Sequence, residues 1–357
     1  MRMIAMIGTF PPPMHGMAAV NSAMKDFFVS SGENPEIFDL SAISLSKVLH
    51  VRLIRATRVL SQLVDYCNFL RVSRKVSVYI SVSGGYGQFF EILFVLLSRL
   101  RNARIVLHHH SFLYIDRPRF LTKMLVFCSG KDAYHIALCG LMVQKLKSSY
   151  PSICRVEVLS NSSLLPMWND GARIRKSVGT LGFLGNIEAD KGIFEFLEVL
   201  LLLQKEGDDI CAIIAGPFRN KVIEALVMDK IAKLGNVQYV GPKYGAEKNE
   251  FFDSIDVLLY PTKNDAEPLT VLESMAHGVP VLARSRGCLD EMVTASAGVV
   301  FGFEKDYVSE AVNQLRIWRK CPGELMDKSR GAAERYRHMQ YTSTESLKNI
   351  FSIMTAA

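Results

Sequence analysis

The chain has 357 residues, of which 49% are hydrophobic and 22% are charged, and its formal net charge is +7. This composition excludes disordered and fibrous proteins, and the length exceeds one typical core, so two domains are expected. The longest apolar run, at 89–97, is interrupted by Glu91 and is far shorter than the roughly 20 residues that span a bilayer. No signal-peptide pattern opens the sequence, and we therefore expect a cytoplasmic protein.

Positive charge is concentrated in the first half of the chain. Residues 1–170 contain 19 Lys and Arg against 10 Asp and Glu, whereas residues 171–357 contain 23 against 25. The segment 47–75 holds seven basic residues, threaded with Leu and Val, against the single acid Asp65. A solvated helix face explains this pattern. The alternative is a surface for an acidic acceptor or for anionic lipid at the inner face of the cell membrane, where each basic residue contributes ~1 kcal/mol. Nucleic acid is not expected, because no binding motif accompanies the charge.

Short apolar runs alternate with longer amphipathic segments along the chain. Helices are predicted between the runs, for example at 193–204 and 220–233. Strands that are apolar on both faces are typical of parallel sheets covered by helices on both sides, where ligands collect at the carboxyl ends of strands. The pattern predicts an α/β protein with two domains, 1–168 and 169–339. The strands are predicted at 2–8, 77–83, 104–110, 133–139 and 156–160 in the first domain, and at 178–185, 210–216, 237–241, 256–261, 279–285 and 298–301 in the second.

Two segments of the first half could contact a ligand. In "GTFPPPMHGMAAVN" a strand runs through a Pro-rich loop to Gly16 and a helix start, where backbone can approach an anion. The two glycines do not have the spacing of a dinucleotide fingerprint. In "LHHHSF" the strand ends at His110, which could line a cleft. A metal site is the weaker alternative there, because no carboxylate or cysteine stands at a useful spacing, and no metal is expected.

Two segments of the second half have the pattern of a phosphate site. "GFLGNIEADKG" places Gly185 after a strand and Lys191 at a helix start, where its charge and the helix dipole add; a plain surface lysine is the alternative. In "NDAEPLTVLESMAHGVPVLA" an acidic loop precedes a helix that begins near Thr270. A carboxylate at Glu273 could accept hydrogen bonds from sugar hydroxyls. Alternatively, Thr270 and Glu273 form a capping box that only secures their own helix.

At these residues the chain resembles glycosyltransferase family 4, the retaining, nucleotide-sugar-dependent transferases with the GT-B fold. Features of that family recur in order along nearly the whole chain. They are the N-terminal Pro/Gly loop and the segments "LHHHS", "VLSNSSLLP", "GFLGNIEADKG", "NVQYVGPKYGAE", "DAEPLTVLESMAHGVPVLA", "RGCLDEMV" and "SAGVVF". The resemblance implies two Rossmann-like domains whose parallel sheets face an interdomain cleft, with the acceptor met by the first domain and the donor held by the second. It also implies that a C-terminal helix, at about 340–357, packs back on the first domain.

The resemblance assigns roles to individual residues. Lys191, Asp265 and His110 would be catalytic: the lysine neutralises the diphosphate, and the other two lie near the transferring sugar. The donor-binding set comprises Gly16, Gly185, Asn186, Lys191, Tyr239, Val240, Leu269, Thr270 and Glu273, with Glu273 on the ribose, the amides of Leu269 and Thr270 on phosphate, and the loop that begins at Tyr239 near the base.

The implied reaction transfers a sugar from a UDP-, GDP- or ADP-sugar to a glycan or lipid-linked acceptor, in cell-surface polysaccharide or glycolipid assembly, without a cofactor. The sequence departs from the family at three points. Asp265 replaces the usual Glu, Asn186 stands where Arg is common, and Gly287-Cys288 replaces Gly-Gly. Two alternatives therefore stay open, a GT-B sugar-nucleotide epimerase and a non-catalytic sugar-nucleotide-binding subunit.

Overall fold

The computed structural model describes residues 2–12, 16–41, 49–166 and 171–356, with side chains of 49–56 outside the description. The chain divides into two compact units, Met1–Pro166 with Gln340–Ala357, and Met167–Met339. Part of the Pro-rich loop, at 13–15, lies outside the described residues, and so does Lys47. The side chains of Arg52 and Arg55 lie outside the description as well. Within the described ranges, no helix combines the length and the apolar character that crossing a membrane requires.

The first unit is a parallel sheet of six strands with helices between them. Its strand order is β2-β1-β3-β4-β5-β6, and every pairing is parallel. In chain order its elements are β1 Met3–Gly8, α1 Gly16–Ser30, β2 Glu36–Asp39, α2 Leu49–Val72, β3 Val76–Val82, α3 Gln88–Leu100, β4 Arg104–His109, α4 Phe120–Ser129, β5 Tyr134–Ala137, α5 Gly140–Ser149 and β6 Arg155–Val158.

The second unit repeats this plan with strand order β12-β11-β10-β7-β8-β9, again all parallel. The last helix, α12, supplies residues to both units. The elements are β7 Thr180–Leu184, α6 Ile193–Lys205, β8 Cys211–Ala215, α7 Lys221–Leu234, β9 Val237–Tyr239, α8 Ala246–Ser254, β10 Val257–Tyr260, α9 Leu269–Ala276, β11 Val281–Arg284, α10 Leu289–Met292, β12 Gly298–Phe301, α11 Tyr307–Lys320 and α12 Pro322–Thr355.

Each unit buries its own core. In the first unit, one face of the sheet packs against α1 and the end of α12, through Met24 and Phe28 on one helix and Leu347, Ile350 and Met354 on the other. In the second unit, apolar side chains of β7, β8 and β10 pack against α6, α7 and α11, and Trp318 is fully buried among them. Such layers are stabilised by the burial of apolar surface, which contributes roughly 25 cal/mol for each Å² removed from water.

The predicted α/β class with two parallel sheets is confirmed. All eleven predicted strands are present, and their ends differ from the prediction by at most two residues. The twelfth strand, β2, was missed because it has four residues, EIFD, and lies at an edge of the sheet, where only Phe38 is buried. A strand of that length has no clear periodicity.

Candidate functional site

The candidate site lies at the carboxyl edge of the second sheet. Strands β7 and β10 are hydrogen-bonded neighbours, so the loops that follow them, 185–192 and 261–268, run side by side. The backbone amide of Lys263 donates to the carbonyl of Asp190 at 2.8 Å and joins the two loops. The predicted residues Lys191 and Asp265, 74 positions apart in sequence, are thereby brought together.

A glycine allows this close approach. Gly192 has a φ of +82°, and a Cβ at this position would lie 2.5 Å from the carbonyl oxygen of Pro261. Only glycine adopts this conformation easily and also leaves the space. The start of α6 therefore packs directly against the end of β10, which places Lys191 over the loop that carries Asp265.

Both oxygens of the Asp265 carboxylate are hydrogen-bonded. Oδ1 accepts from Lys191 Nζ at 2.5 Å, and Oδ2 accepts from the hydroxyls of Tyr260, at 2.8 Å, and Thr262, at 2.7 Å. Burial, and next the charge of Asp265, raise the pKa of Tyr260 far above its ordinary value, so the phenol stays a donor. Lys191 Nζ also reaches the carbonyl of Asn264 at 3.3 Å. The result is one ammonium group held at a fixed point and still partly exposed.

The second predicted carboxylate, Glu273, is held by a lysine that sequence analysis did not identify. Lys248 Nζ, on α8, donates to both oxygens of Glu273 on α9, at 2.7 and 2.6 Å. Burial raises the pKa of Glu273, and the nearby charge of Lys248 opposes that rise. Nothing in the segment "AEKNEFF" indicated this contact, because it depends on how α8 packs.

The capping-box alternative is wrong. Helix α9 begins at Leu269, its N-cap residue is Pro268, and no side chain caps it. Thr270 is therefore the second residue of the helix, and the carboxylate of Glu273 pairs with Lys248 instead of the helix start. The amides of Leu269 and Thr270, at the first two positions, have no acceptor within their own helix. They present partial positive charge beside the Asp265 loop.

A second glycine keeps that loop close to the following strand. Gly287, after β11, has a φ of +58°, and a Cβ there would lie 2.3 Å from the carbonyl oxygens of Asp265 and Ala266. The amide of Cys288 donates to the carbonyl of Ala266 at 2.8 Å. The change from Gly-Gly to Gly287-Cys288 thus keeps the glycine that the contact needs.

The remaining donor-set residues of this unit follow β7 and β9. The amide of Gly185 donates to Ala215 O at 3.1 Å, and Asn186 Oδ1 accepts from Arg219 Nε at 3.3 Å. Tyr239 ends β9 and donates its hydroxyl to Gly216 O at 2.9 Å, and the amide of Val240 donates to Ile214 O at 3.0 Å. All four residues lie at the same edge of the sheet as Lys191. Arg219 supplies a guanidinium beside the position where the family commonly has its own.

Two predicted residues belong to the first unit. His110 follows β4, its ring packs on His108 with centroids 3.9 Å apart, and its Nε2 is buried without a hydrogen-bond partner among the described residues. Burial lowers the pKa of His110 to about 3, so the imidazole is neutral at neutral pH. It can hydrogen-bond but carries no charge. Gly16 is the first residue of α1 and is exposed, and a Cβ added there would meet no described atom within 4 Å.

Sequence reasoning also missed Tyr260 and Thr262. Both lie at the end of a predicted strand, where a parallel sheet places ligand-contacting side chains. Within the described part of the chain, no group of three or more His, Cys, Asp or Glu residues is arranged to hold a metal ion. The positive groups at this edge include Lys191, Lys248, Arg219 and the helix-end amides.

Comparison with solved structures identifies the fold. The structure superposes on a sucrose-phosphate synthase from Thermosynechococcus elongatus with a TM-score of 0.71 at 13% identity, covering 99% of this chain and 100% of the other. It superposes equally on HepE from Anabaena, solved in complex with UDP, with a TM-score of 0.71 at 13% identity and coverages of 98% and 99%. The fold is that of the two-domain α/β proteins called GT-B.

Sequence comparison adds a family match. Residues 169–335 match the model of the family described as Glycosyl transferases group 1. A curated relative, the lipopolysaccharide core biosynthesis mannosyltransferase LpsB of Rhizobium meliloti (strain 1021), is 28% identical over 152 residues. That stretch is 41% of this chain and 41% of the relative.

Proposed function

We propose that the protein is a retaining glycosyltransferase that moves a sugar from a nucleoside diphosphate sugar to an acceptor hydroxyl. The observation that carries the proposal is the arrangement around Lys191. One fixed ammonium group, the first amides of α9 and a partly buried carboxylate, Glu273, lie at the carboxyl edge of one sheet. Positive groups suit a diphosphate, and a carboxylate suits ribose hydroxyls.

The proposed reaction breaks the bond between the anomeric carbon and the diphosphate oxygen and forms a bond from that carbon to the acceptor oxygen. The acceptor proton passes to the departing diphosphate. Lys191 and the amides of Leu269 and Thr270 stabilise the negative charge that develops there, without a metal ion. Attack from the face that the diphosphate leaves keeps the anomeric configuration; this feature rests on the resemblance to family 4.

The donor and acceptor classes come from the relatives. HepE was solved with UDP, which favours a UDP-sugar among the three candidates. The name of LpsB favours a glycan or glycolipid acceptor of the cell surface. The net charge of +9 in residues 1–170 fits an acceptor at an anionic membrane, so we place the protein in the cytoplasm at the inner face of that membrane.

The role of Lys191 is tested by Lys191→Ala. We expect turnover to fall about 10²–10³-fold, as when a single preorganised charge-stabilising donor is removed, while the melting temperature stays close to wild type. Lys205→Ala, at the exposed end of α6, the helix that follows Lys191, is the matched control and should transfer sugar normally. Near-wild-type turnover in Lys191→Ala would remove the lysine from the mechanism.

Product analysis separates the alternatives. The donor is incubated with chelator, with and without acceptor, and the products are analysed by NMR. A transferase releases nucleoside diphosphate and forms an α- or β-linked product that matches the donor's configuration. An epimerase changes the sugar without any acceptor. A non-catalytic subunit binds the donor and leaves it intact, and either of these results contradicts the proposal.

A further inference from the structure

A pocket lies at the amino end of the first sheet, the edge opposite to the one where His110 follows β4. It has a volume of about 380 Å³ and is formed by the residues that precede or begin β1, β4, β5 and β6. One acidic side chain, Asp132, lines it. Five basic side chains line it, namely Arg2, Arg99, Arg104, Lys131 and Arg155.

Three of the four arginines of the pocket, Arg2, Arg99 and Arg104, are anchored by backbone carbonyls. Arg2 donates to Ala356 O at 2.9 Å and to Val76 O at 3.1 Å, and Arg104 donates to Ala356 O at 3.1 Å. Arg99 Nη1 donates to the carbonyls of residues 127 and 128, both at 3.1 Å. A guanidinium has five N–H donors, so these bonds fix each side chain and leave part of its fork available.

The positive charge of the pocket is poorly compensated. Among the residues that the structure describes, no carboxylate lies within ion-pair distance of Arg2, Arg99, Arg104 or Lys131, and Asp132 contacts only Arg155, at 3.4 Å. Burial, and next the charge of Arg104, lower the pKa of Arg2, as expected for like charges held close together. Several fixed cations that have no carboxylate partner among the described residues are suited to binding an anion.

We propose that this pocket binds a small anion that carries two or more phosphate groups. Its volume is in the range of about 300–1,000 Å³ that small-ligand sites occupy. Arginine forks match phosphate oxygens in a bidentate manner, and several of them around one cavity favour a multiply charged group over a single carboxylate. The phosphates could belong to a free metabolite or to a lipid headgroup. The site is separate from the donor site, and it does not depend on the proposed transferase activity.

The test is a calorimetric titration with inorganic pyrophosphate. We expect Arg99→Gln and Lys131→Gln each to weaken binding about tenfold, because each removes a charged hydrogen-bond donor. Lys131 is exposed and forms no hydrogen bond within the protein that the structure records, so its removal should leave folding intact even if Arg99→Gln does not. Lys123→Gln, on the exposed first turn of α4, makes the same charge change elsewhere and should bind like wild type.

Two further arms locate the site and the source of the phosphate. Titration of Lys191→Ala should give the same affinity at this pocket, since that lysine belongs to the second unit. Vesicles of phosphatidylcholine that contain phosphatidylinositol bisphosphate, whose headgroup carries several phosphates, test the lipid source: cosedimentation that pyrophosphate displaces and Lys131→Gln weakens indicates a headgroup, and pyrophosphate binding without cosedimentation indicates a free ligand. Binding that is abolished by Lys191→Ala but unchanged by Arg99→Gln and Lys131→Gln, or no binding at all, would overturn the proposal.

Discussion

At the scale of single residues, Asp265 has two opposing effects on the donor site. Its carboxylate neutralises part of the charge of Lys191 at 2.5 Å, yet the same ion pair fixes the ammonium in place. The pair is partly buried, so its electrostatic effect is less screened than that of a surface pair. If the proposed donor site is correct, this negative group should weaken ground-state binding of the nucleotide diphosphate.

Asp265→Asn should therefore separate binding from turnover. The amide keeps the size and can still accept from Tyr260 and Thr262, while the charge of Lys191 is no longer offset. We expect UDP to bind several-fold more tightly and sugar transfer to fall about 10²-fold, because the lysine loses its fixed position. Asp190→Asn, at an exposed position of the neighbouring loop, should change neither quantity. Weaker UDP binding in Asp265→Asn would show that the carboxylate contacts the donor directly.

Lys248 influences the protonation of Glu273, because its charge lowers the pKa of that carboxylate. The burial that raises the pKa of Glu273 is opposed by this lysine, so Lys248→Met should raise that pKa further. A protonated Glu273 accepts fewer hydrogen bonds from ribose hydroxyls. Because the pKa of Glu273 is raised in the folded protein, its carboxylate is protonated at a higher pH than a free carboxylate would be. In Lys248→Met this protonation should occur at a still higher pH.

The measurement is the affinity for UDP as a function of pH. We expect Lys248→Met to bind weakly at acidic pH and to recover affinity as pH rises, with the midpoint shifted upward from wild type. Lys243→Met is the control, since Lys243 pairs with the exposed Glu247 at 3.6 Å. A pH profile of Lys248→Met that coincides with wild type would mean that the lysine does not control the carboxylate.

At the scale of elements, the second unit depends on one buried arginine. Arg175 is fully buried and donates to four carbonyls, those of Arg173, of Ile255 at 3.1 Å, of His277 at 2.7 Å and of Phe252 at 2.6 Å. The last three matter most here. These carbonyls end α8 and α9, so one side chain joins two helix ends. Since burial lowers its pKa only to about 10, Arg175 stays charged at neutral pH.

Arg175→Met should destabilise the second unit by about 3 kcal/mol or more, because it leaves buried carbonyls without donors. Arg173→Met, two residues away, removes a mostly exposed guanidinium and should cost about 1 kcal/mol or less. Urea denaturation monitored by hydrogen exchange of the β10 amides measures the loss of stability in each variant. Equal losses in the two variants would contradict the account of this buried arginine.

The sequence predicted elements better than it predicted contacts. Strands such as β8 are apolar on both faces, and that pattern alone indicates a covered parallel sheet. The positions of Lys191 at a helix start and of Asp265 in an acidic loop could also be predicted. The pairing of Lys248 with Glu273 could not, because it depends on the packing of α8 against α9, and no local pattern reports it. The capping-box alternative is wrong because Pro268 is the N-cap and the helix begins at Leu269, one residue before Thr270.

At the scale of the whole molecule, the first unit buries four histidines. Burial lowers the pKa of His108, His109, His110 and His135, to about 3 for His110 and about 4 for His135. The Nε2 of His109 lies 2.9 Å from Nδ1 of His135, an arrangement that requires at least one neutral ring. Unfolded histidines titrate near pH 6.5, so below that pH the unfolded chain binds protons that the folded chain does not.

Stability of the first unit should therefore fall as pH falls below about 6.5, by up to ~1.4 kcal/mol per pH unit for each histidine. Hydrogen exchange of the β4 amides as a function of pH, corrected for the intrinsic exchange rate, measures this slope. Replacing one member of the pair, as in His135→Leu, should reduce it. A stability that stays constant from neutral pH down to about pH 5 would contradict the neutral state of these rings.

The role of Lys191 in donor binding is best tested by calorimetric titration of UDP into wild-type protein and Lys191→Ala, both with chelator. We expect wild type to bind UDP without metal and Lys191→Ala to bind it at least about tenfold more weakly, with GDP and ADP as competitors that identify the base. Equal affinity of the two proteins for UDP, or binding that chelator abolishes, would contradict a diphosphate site formed by Lys191 and the start of α9.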